Sequence, residues 1–432
     1  MAYIIDCGMI LIQARSLIKC IISRNLEKAI KMTELKKDLK IALVHDFLTQ
    51  YGGAERVLEV FCEMFPKAPI YTLLYDKVAM RGKFKDREIH TSFLQKFPKF
   101  LRKKKKWLLP LMPTAPETFN LRDFDLIISS CGVWSKAIIT RLDVKHICYM
   151  HSPMRFAWEE GEEYLLEQKR SAKTNFFVRL LLNYLRVWDR VSADRPDYLI
   201  ANSRFTRERI KKYYNRKSVV IYPPVNMEHE TRNIEQQNPL VAPSLAKPDK
   251  SQTIRQPADK IQNSKFFLVV SRLSPYKKID AAVEAFNKLE LPLIVIGEGS
   301  QEKYLRSIAG KNVKILGWQP EEKIREYYAG ARAFIFAGVD DFGMTMVEAL
   351  ARGVPVLALK KGGALEIVAE GKTGEFFVSN KPEIIAECVK RFMEKEKEYD
   401  KNLIIESAKK FSKERFVREF EEYMAKILND KF

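Results

Sequence analysis

Asp340-Asp341-Phe342-Gly343-Met344-Thr345-Met346-Val347-Glu348-Ala349-Leu350-Ala351-Arg352-Gly353-Val354-Pro355-Val356 packs two acids, a glycine turn, a helical stretch and the start of an apolar strand into one short unit. The apolar run 333–337 leads into it, so the order is strand, turn, helix, strand, as in a parallel α/β sheet. Open sheets of this kind bind ligands at the carboxyl ends of their strands. Gly343 opens a helix there, and the unpaired amides and dipole of a helix start favour an anion. Seven residues separate Asp340 from Glu348, which puts the first acid in the turn and the second inside the helix. The two can grip different parts of one ligand that carries both hydroxyls and phosphates, as a sugar nucleotide does.

On either side of this unit, short β-branched and aromatic runs alternate with amphipathic stretches, the pattern of strands joined by crossover helices. Residues 40–44, 125–129, 146–150 and 197–201 form one series, and residues 266–270, 293–296, 313–316, 333–336 and 354–357 form another. A double series predicts two Rossmann-like α/β domains, over residues 40–226 and 265–411. Residues 227–264 are polar, rich in Gln, Asn, Pro and Lys, and without periodicity, so they read as a linker or surface insertion. Residues 412–432 read as a C-terminal helix capped by Ser412, with Phe416, Phe420, Tyr423 and Met424 at helical spacing. Residues 1–39 stand apart as an extension with no assigned role, Met32 being a second plausible start.

A chain of 432 residues exceeds what one compact core organises, in keeping with two domains. Its 46% hydrophobic and 30% charged residues are the composition of a soluble globular protein. Six cysteines without a C-x-x-C pair fit neither a disulfide framework nor a zinc site, so a reducing cytoplasm is the expected compartment. Five histidines form no H-E-x-x-H group, so neither a metal nor another cofactor is expected. The N-terminal apolar patch at residues 9–12, bounded by Asp6 and Arg15, is too short to span a bilayer and lacks the basic leader of a signal peptide. A net charge of +20 demands a negative partner, whether nucleotide, nucleic acid or anionic membrane.

Further blocks follow strand ends. The first is His45-Asp46-Phe47-Leu48-Thr49-Gln50-Tyr51-Gly52-Gly53-Ala54-Glu55-Arg56-Val57. Gly52 and Gly53 remove side chains where a strand hands over to a helix, so that amides can approach a phosphate or an acceptor. Val57, Leu58, Phe61 and Phe65 share one face of that helix. The second, Cys148-Tyr149-Met150-His151-Ser152-Pro153-Met154-Arg155, sets His151 at a strand's carboxyl end. Alone, such a histidine reads as a structural hydrogen-bonder. In the third, Val270-Ser271-Arg272-Leu273-Ser274-Pro275-Tyr276-Lys277, a planar fork and a point charge lie five residues apart, the two ways proteins hold a diphosphate. Fixed cations stabilise the growing charge of an anionic leaving group. Gly297-Glu298-Gly299 and Gly317-Trp318 close the next two strands, and Glu302 occupies the place where a dinucleotide fingerprint needs its third glycine.

Together these blocks resemble glycosyltransferase family 4, the retaining enzymes of GT-B fold. Asp340 and Glu348 match the acid-x7-acid motif, with Asp where the family usually has Glu, and Arg272 and Lys277 match its R-L-x-x-x-K clamp. The glycine and histidine blocks resemble its mannosyltransferase-like branch. The resemblance spans residues 40–226 and 266–377 and implies two Rossmann-like domains facing a central cleft, the last helix returning to brace the first domain. It also implies a catalytic set of His151, Arg272, Lys277, Asp340 and Glu348. Asp340 and His151 would hold the donor sugar, Glu348 the donor ribose, and the two cations the diphosphate. Gly52, Gly53, Gly297, Phe342, Gly343, Met344 and Thr345 would complete donor binding, with no metal. The implied reaction moves a hexose, on the branch resemblance mannose from GDP-mannose, to a hydroxyl of a lipid-linked oligosaccharide or polysaccharide such as lipopolysaccharide. A UDP-sugar donor stays open.

Residues 96–109 hold seven basic residues, no acid and several large apolar side chains. Lys103, Lys104, Lys105, Lys106 and Trp107 suit an anionic membrane, with cations at the headgroups and Phe97, Phe100 and Trp107 dipping below. A solvated loop is the equal alternative. Membrane docking would place a cytoplasmic protein peripherally on the inner face of the plasma membrane. Nucleic acid is disfavoured, because the aromatics form no RNP or zinc-finger pattern. A basic membrane- or nucleic-acid-binding protein without catalysis is the reading from another class.

Overall fold

The computed structural model describes residues 39–159, 172–227 and 266–429, so the expected extension and linker lie outside it except for Leu39 and Met227. The chain divides into two compact units. The first runs to Asn202 and adds Thr206–Ile221 and the residues from Phe416 onward; the second comprises Ser203–Phe205 and Tyr222–Arg415.

The first unit contains β1 (Ile41–Leu48), β2 (Ile70–Tyr75), β3 (Ile89–Thr91), β4 (Leu126–Cys131), β5 (Lys145–Met150), β6 (Tyr198–Ala201) and β7 (Val219–Val220), in one sheet of order β3-β2-β1-β4-β5-β6-β7. The second contains β8 (Phe266–Val270), β9 (Leu293–Ile296), β10 (Val313–Gly317), β11 (Ala331–Phe336), β12 (Val356–Leu359) and β13 (Gly374–Phe377), of order β10-β9-β8-β11-β12-β13. Every pairing is parallel. Helices cover parallel sheets on both faces, so central strands must be apolar throughout, and β4, β8, β9 and β12 are buried along their whole length. In each sheet the order reverses beside the first strand, between β1 and β4 and between β8 and β11. Connections leave such a switch point in opposite directions and open a crevice at the carboxyl ends.

β1 extends to Leu48, beyond the apolar run that ends at Val44. His45 and Asp46 interrupt the pattern yet are buried strand residues, because β2 pairs His45 with Thr72 and Leu48 with Tyr75, and β4 pairs His45 with Ser130. At the other end of the chain, Ser412 Oγ accepts from the Arg415 amide at 3.2 Å as the helix Lys413–Asn429 begins. Phe416, Phe420, Met424 and Ile427 of this helix are buried in the core of the first unit. The Phe420 and Phe416 rings lie 4.8 and 5.5 Å from Phe61, and Phe416 lies 5.7 Å from Tyr149. Burying a ring of this size contributes roughly 1.5–3 kcal/mol.

Charge inside the first unit is fully partnered where it is deepest. Lys136 Nζ lies 2.6 Å from Asp189 Oδ1, while Asp189 Oδ2 accepts from Trp158 Nε1 at 2.8 Å and Tyr214 OH at 2.7 Å. This network fastens the helix Ala172–Ser192 to its unit, as a buried ion pair does only when each oxygen is hydrogen-bonded. His146 is also fully buried, its Nε2 2.7 Å from Ser129 Oγ, and burial pushes its pKa down to about 3.

A histidine that stays neutral when folded but charges when unfolded near pH 6.5 opposes folding as the pH falls below that value. We expect stability to drop between pH 6.5 and 5 by roughly 1.4 kcal/mol per pH unit from His146 alone. Thermal melts across that range test it. His146→Gln should flatten the dependence whatever its effect on the absolute melting temperature, and an unchanged slope would assign the acid sensitivity elsewhere.

Candidate functional site

At the switch point of the second unit, Ser271 and Arg272 follow the end of β8 at Val270, and a single 3-10 turn, Pro275–Lys277, carries Lys277 back over the sheet end. β11 ends opposite, and the loop after it carries Asp340. Lys277 Nζ lies 2.6 and 2.5 Å from the two oxygens of Asp340, with the Phe336 ring 5.5 Å from the ammonium. The approach depends on Gly338, where a Cβ would stand 2.8 Å from Lys277 Cα. A small pocket at this point is lined by Val270, Ser271, Lys277, Phe336, Ala337 and Gly338, among others. Arg272 is exposed on the same loop.

Gly343, at φ +102°, caps the helix Met344–Leu350. Glu348 is buried within that helix, and Tyr328 OH bonds its Oε2 at 3.3 Å and the carbonyl of Thr345 at 3.2 Å. The sequence thus correctly set one acid in the turn and one in the helix. It missed the glycine pair after β12. A Cβ on Gly362 would lie 2.5 Å from the Asp340 carbonyl and one on Gly363 2.1 Å from that of Phe342, while the Gly363 amide bonds the Asp340 carbonyl at 2.9 Å. These two glycines let one loop seat the other and so fix where Asp340 points. A Gly-Gly pair just past a strand end was the available signal.

Several expected donor contacts have other uses. The Phe342 ring is buried in the core, 5.7 Å from Tyr222 and 5.3 Å from Phe411, so this position can offer a ligand only its main chain. Met344 packs against the same core. Gly297, at φ +140°, packs on the loop that carries Arg272, where a Cβ would come within 1.8 Å of the Ser271 carbonyl. Its glycine is therefore required to shape the clamp loop. Among the described residues no group of three or more His, Cys, Asp or Glu could hold a metal ion.

In the first unit, Gly52 caps the helix Gly53–Met64, and its amide donates to Glu55 Oε2 at 2.8 Å. One of the donors that the glycine pair was to offer a phosphate, the Gly52 amide, is engaged by the chain's own carboxylate, because Glu55 stands at the third helical position, where such a cap forms. Glu55 Oε1 also lies 3.4 Å from His45 Nε2. Burial raises the carboxyl pKa, but the hydrogen bond and charge of His45 and the Gly52 amide bring it below the ordinary value. Asp46 accepts from the amides of Val133, Trp134 and Ser135 at 2.5, 3.1 and 2.7 Å, which ties the end of β1 to the loop after β4. His151 follows β5 with its Nε2 2.8 Å from Ser130 Oγ. Burial, then the neighbouring His45, lowers its pKa to about 4, so near neutral pH it is an uncharged hydrogen-bonding group.

The basic segment is only partly as expected. Lys104, Lys106 and Trp107 are exposed, Trp107 at 66% and Phe100 at 65%. Lys105 instead turns inward, donating to Thr49 Oγ1 at 2.7 Å and sitting 4.2 Å above the Phe47 ring, and Phe97 packs on the core. The side chain of Lys103 lies outside the described set. No helix among the described residues is long and apolar enough to cross a membrane.

Residues 51–229 match the family described as Glycosyltransferase Family 4, and residues 250–411 the family described as Glycosyl transferases group 1. The chain is 24% identical to the alpha-1,3/1,6-mannosyltransferase ALG2 of Dictyostelium discoideum over 47% of its own length and 54% of the relative's, so it spans about half of that protein. It is 21% identical to an uncharacterised glycosyltransferase of Methanocaldococcus jannaschii over 87% of its length and 93% of the other's. Anabaena HepE in complex with UDP-glucose superposes with a TM-score of 0.60 at 18% identity, covering 90% of this chain and all of the other, a likeness of fold.

The pairing of Lys277 with Asp340 has a measurable consequence. Asp340→Asn keeps the side-chain shape but removes a carboxylate that opposes any dianion approaching the ammonium. Nucleoside diphosphate binding, measured by titration calorimetry, should tighten on the order of tenfold. An unchanged or weaker affinity would mean that the pair does not compete with the ligand.

Proposed function

Since this chain belongs to glycosyltransferase family 4 and is built from two parallel-sheet α/β domains of GT-B type, we propose that it is a retaining mannosyltransferase. It would transfer mannose from GDP-mannose to a hydroxyl of a lipid-linked oligosaccharide or polysaccharide. The observation that carries this reading is the meeting of Lys277 and Asp340 at the switch point of the second unit. Arg272 and Lys277 take the diphosphate, Glu348 the ribose and Asp340 the hydroxyls of the sugar; in the first unit the uncharged His151 is a hydrogen-bonding group suited to a sugar hydroxyl. The bond from the anomeric carbon to phosphate oxygen breaks while the acceptor oxygen bonds the same carbon on the same face. The acceptor's proton passes to the departing phosphate oxygen. The two cations meet the charge that develops there, so no divalent metal is needed.

The acceptor class supports work at a membrane surface. Lys104, Lys106 and Trp107 stand exposed on a segment without acids, and each cation near an anionic leaflet contributes about 1 kcal/mol. The inner face of the plasma membrane is the site we propose. A UDP-sugar donor is the second reading, favoured by the UDP-glucose bound in HepE.

A ligand that binds only the folded state raises the melting temperature. In a panel of GDP, UDP, ADP and their sugars, GDP or GDP-mannose should give the largest shift, and a larger shift with UDP compounds would change the donor while leaving the reaction class in place. Lys277→Ala should slow transfer on the order of a hundredfold, as the loss of a preorganised charge-stabilising group does. Turnover should persist in a metal chelator, and wild-type turnover of the variant at saturating donor would move the clamp elsewhere.

A further inference from the structure

The helix Ala172–Ser192 is apolar on two opposite faces. One face is core: Leu182 and Leu185 are buried, and Asp189 is locked to Lys136. On the other, Phe176, Phe177, Leu180, Tyr184, Val187 and Val191 are each 51–60% exposed. At about 100° per residue these six fall within a single arc of roughly 100°, along about 22 Å of helix. Solvent-exposed helices normally present polar side chains there. Along one edge of the arc Arg179 stands exposed, beside half-buried Arg186, whose Nε donates to the Ala157 carbonyl at 2.8 Å, and half-buried Arg190, paired with Asp194 at 2.7 Å; the helix's one acid, Asp189, points into the core. An open hollow of about 400 Å³, lined by Thr174, Phe177, Val178 and Leu181, continues the face inward near its N-terminal end.

We propose that this face is a membrane-insertion surface that lies in the headgroup layer of an anionic leaflet. A helix with an apolar arc edged by arginines is shaped to lie in an interface, its apolar side below the headgroups and its cations among them. A second copy of the chain fits less well, since pairing would set one protein of net charge +20 against another. The lysine segment supports the same orientation. Leu108 and Met112, which flank exposed Trp107 and Leu111, share a core cluster with Leu182 and Leu185, so both exposed elements are rooted in one part of the first unit. The lysines would supply salt-sensitive attraction and the helix face a salt-resistant hold.

This inference rests on the membrane reading above, and the experiment separates the two. Co-sedimentation is measured with phosphatidylcholine vesicles, with and without phosphatidylglycerol, at low and high salt. Phe177→Ser/Leu180→Ser/Val187→Ser changes only exposed positions and should keep the parental melting temperature. It should lower partitioning at high salt about tenfold while retaining binding at low salt. Lys104→Ser/Lys106→Ser should do the reverse. Leu180→Trp should show a blue-shifted emission beyond that of the parent when anionic vesicles are added. Parental sedimentation of the triple variant at high salt, or no spectral shift, overturns the insertion face and leaves the lysine reading standing. A triple variant of smaller mass in sedimentation velocity with unchanged vesicle binding makes the face a contact between copies and also overturns it. No binding of the parent at low salt overturns both.

Discussion

A parallel sheet buried on both faces has nowhere to keep uncompensated charge except at the ends of its strands. That constraint orders this molecule. In the second unit Arg272, Lys277 and Asp340 gather where β8 and β11 end, and in the first His45, Ser130 and His151 gather where β1, β4 and β5 end. The polar groups that do lie deeper are neutralised or paired: His146 stays uncharged beside Ser129, and Lys136 is matched by Asp189. Crowding several loops onto one sheet end requires backbones to touch, which Gly338, Gly362 and Gly363 permit.

Both units satisfy their anion-seeking groups from within. Lys277 is held by the carboxylate of Asp340, and the helix-start amide of Gly52 by that of Glu55. A desolvated cation or amide left without a partner is costly, and here the chain's own carboxylates supply the partners. On the proposed reading, a phosphate ligand would enter by exchange. Its net affinity would then reflect the difference between two ion pairs, and its selectivity what Asp340 gains elsewhere when the ammonium lets go.

The double series of apolar runs made two parallel sheets legible, because buried parallel strands carry their signal in composition alone. Their limits were less legible. β1 appeared to stop at Val44 because His45 and Asp46 are polar, and only pairing with β2 and β4 accounts for their burial. β2 and β13, Ile-Tyr-Thr-Leu-Leu-Tyr and Gly-Glu-Phe-Phe, stand outside the two series of runs. The candidate site was readable as separate blocks, since strand end, glycine and charge are local features. Their conjunction was not: Lys277 and Asp340 are 63 residues apart, and no spacing rule joins them. Phe342 and Gly297 were offered to a ligand because their neighbours are, although packing claims both. The exposed face of the helix Ala172–Ser192 is not legible, because with apolar residues on two opposite faces the sequence does not say which of them meets the core.

The helix Lys413–Asn429 places the final pieces of the first unit's core after the whole of the second. During synthesis Phe61 and Tyr149 leave the ribosome early, while Phe416 and Phe420, the rings that pack on them, follow only after β8 to β13. Nascent domains fold as units in the order they emerge. Here that order is broken: the second unit has all its strands while the first still lacks one wall. Until the last helix arrives, Phe61 lacks the two rings that cover it in the folded unit. The docking of that helix is a long-range event of the kind that slows folding, because the entropy of bringing distant residues together is lost before their contact is gained.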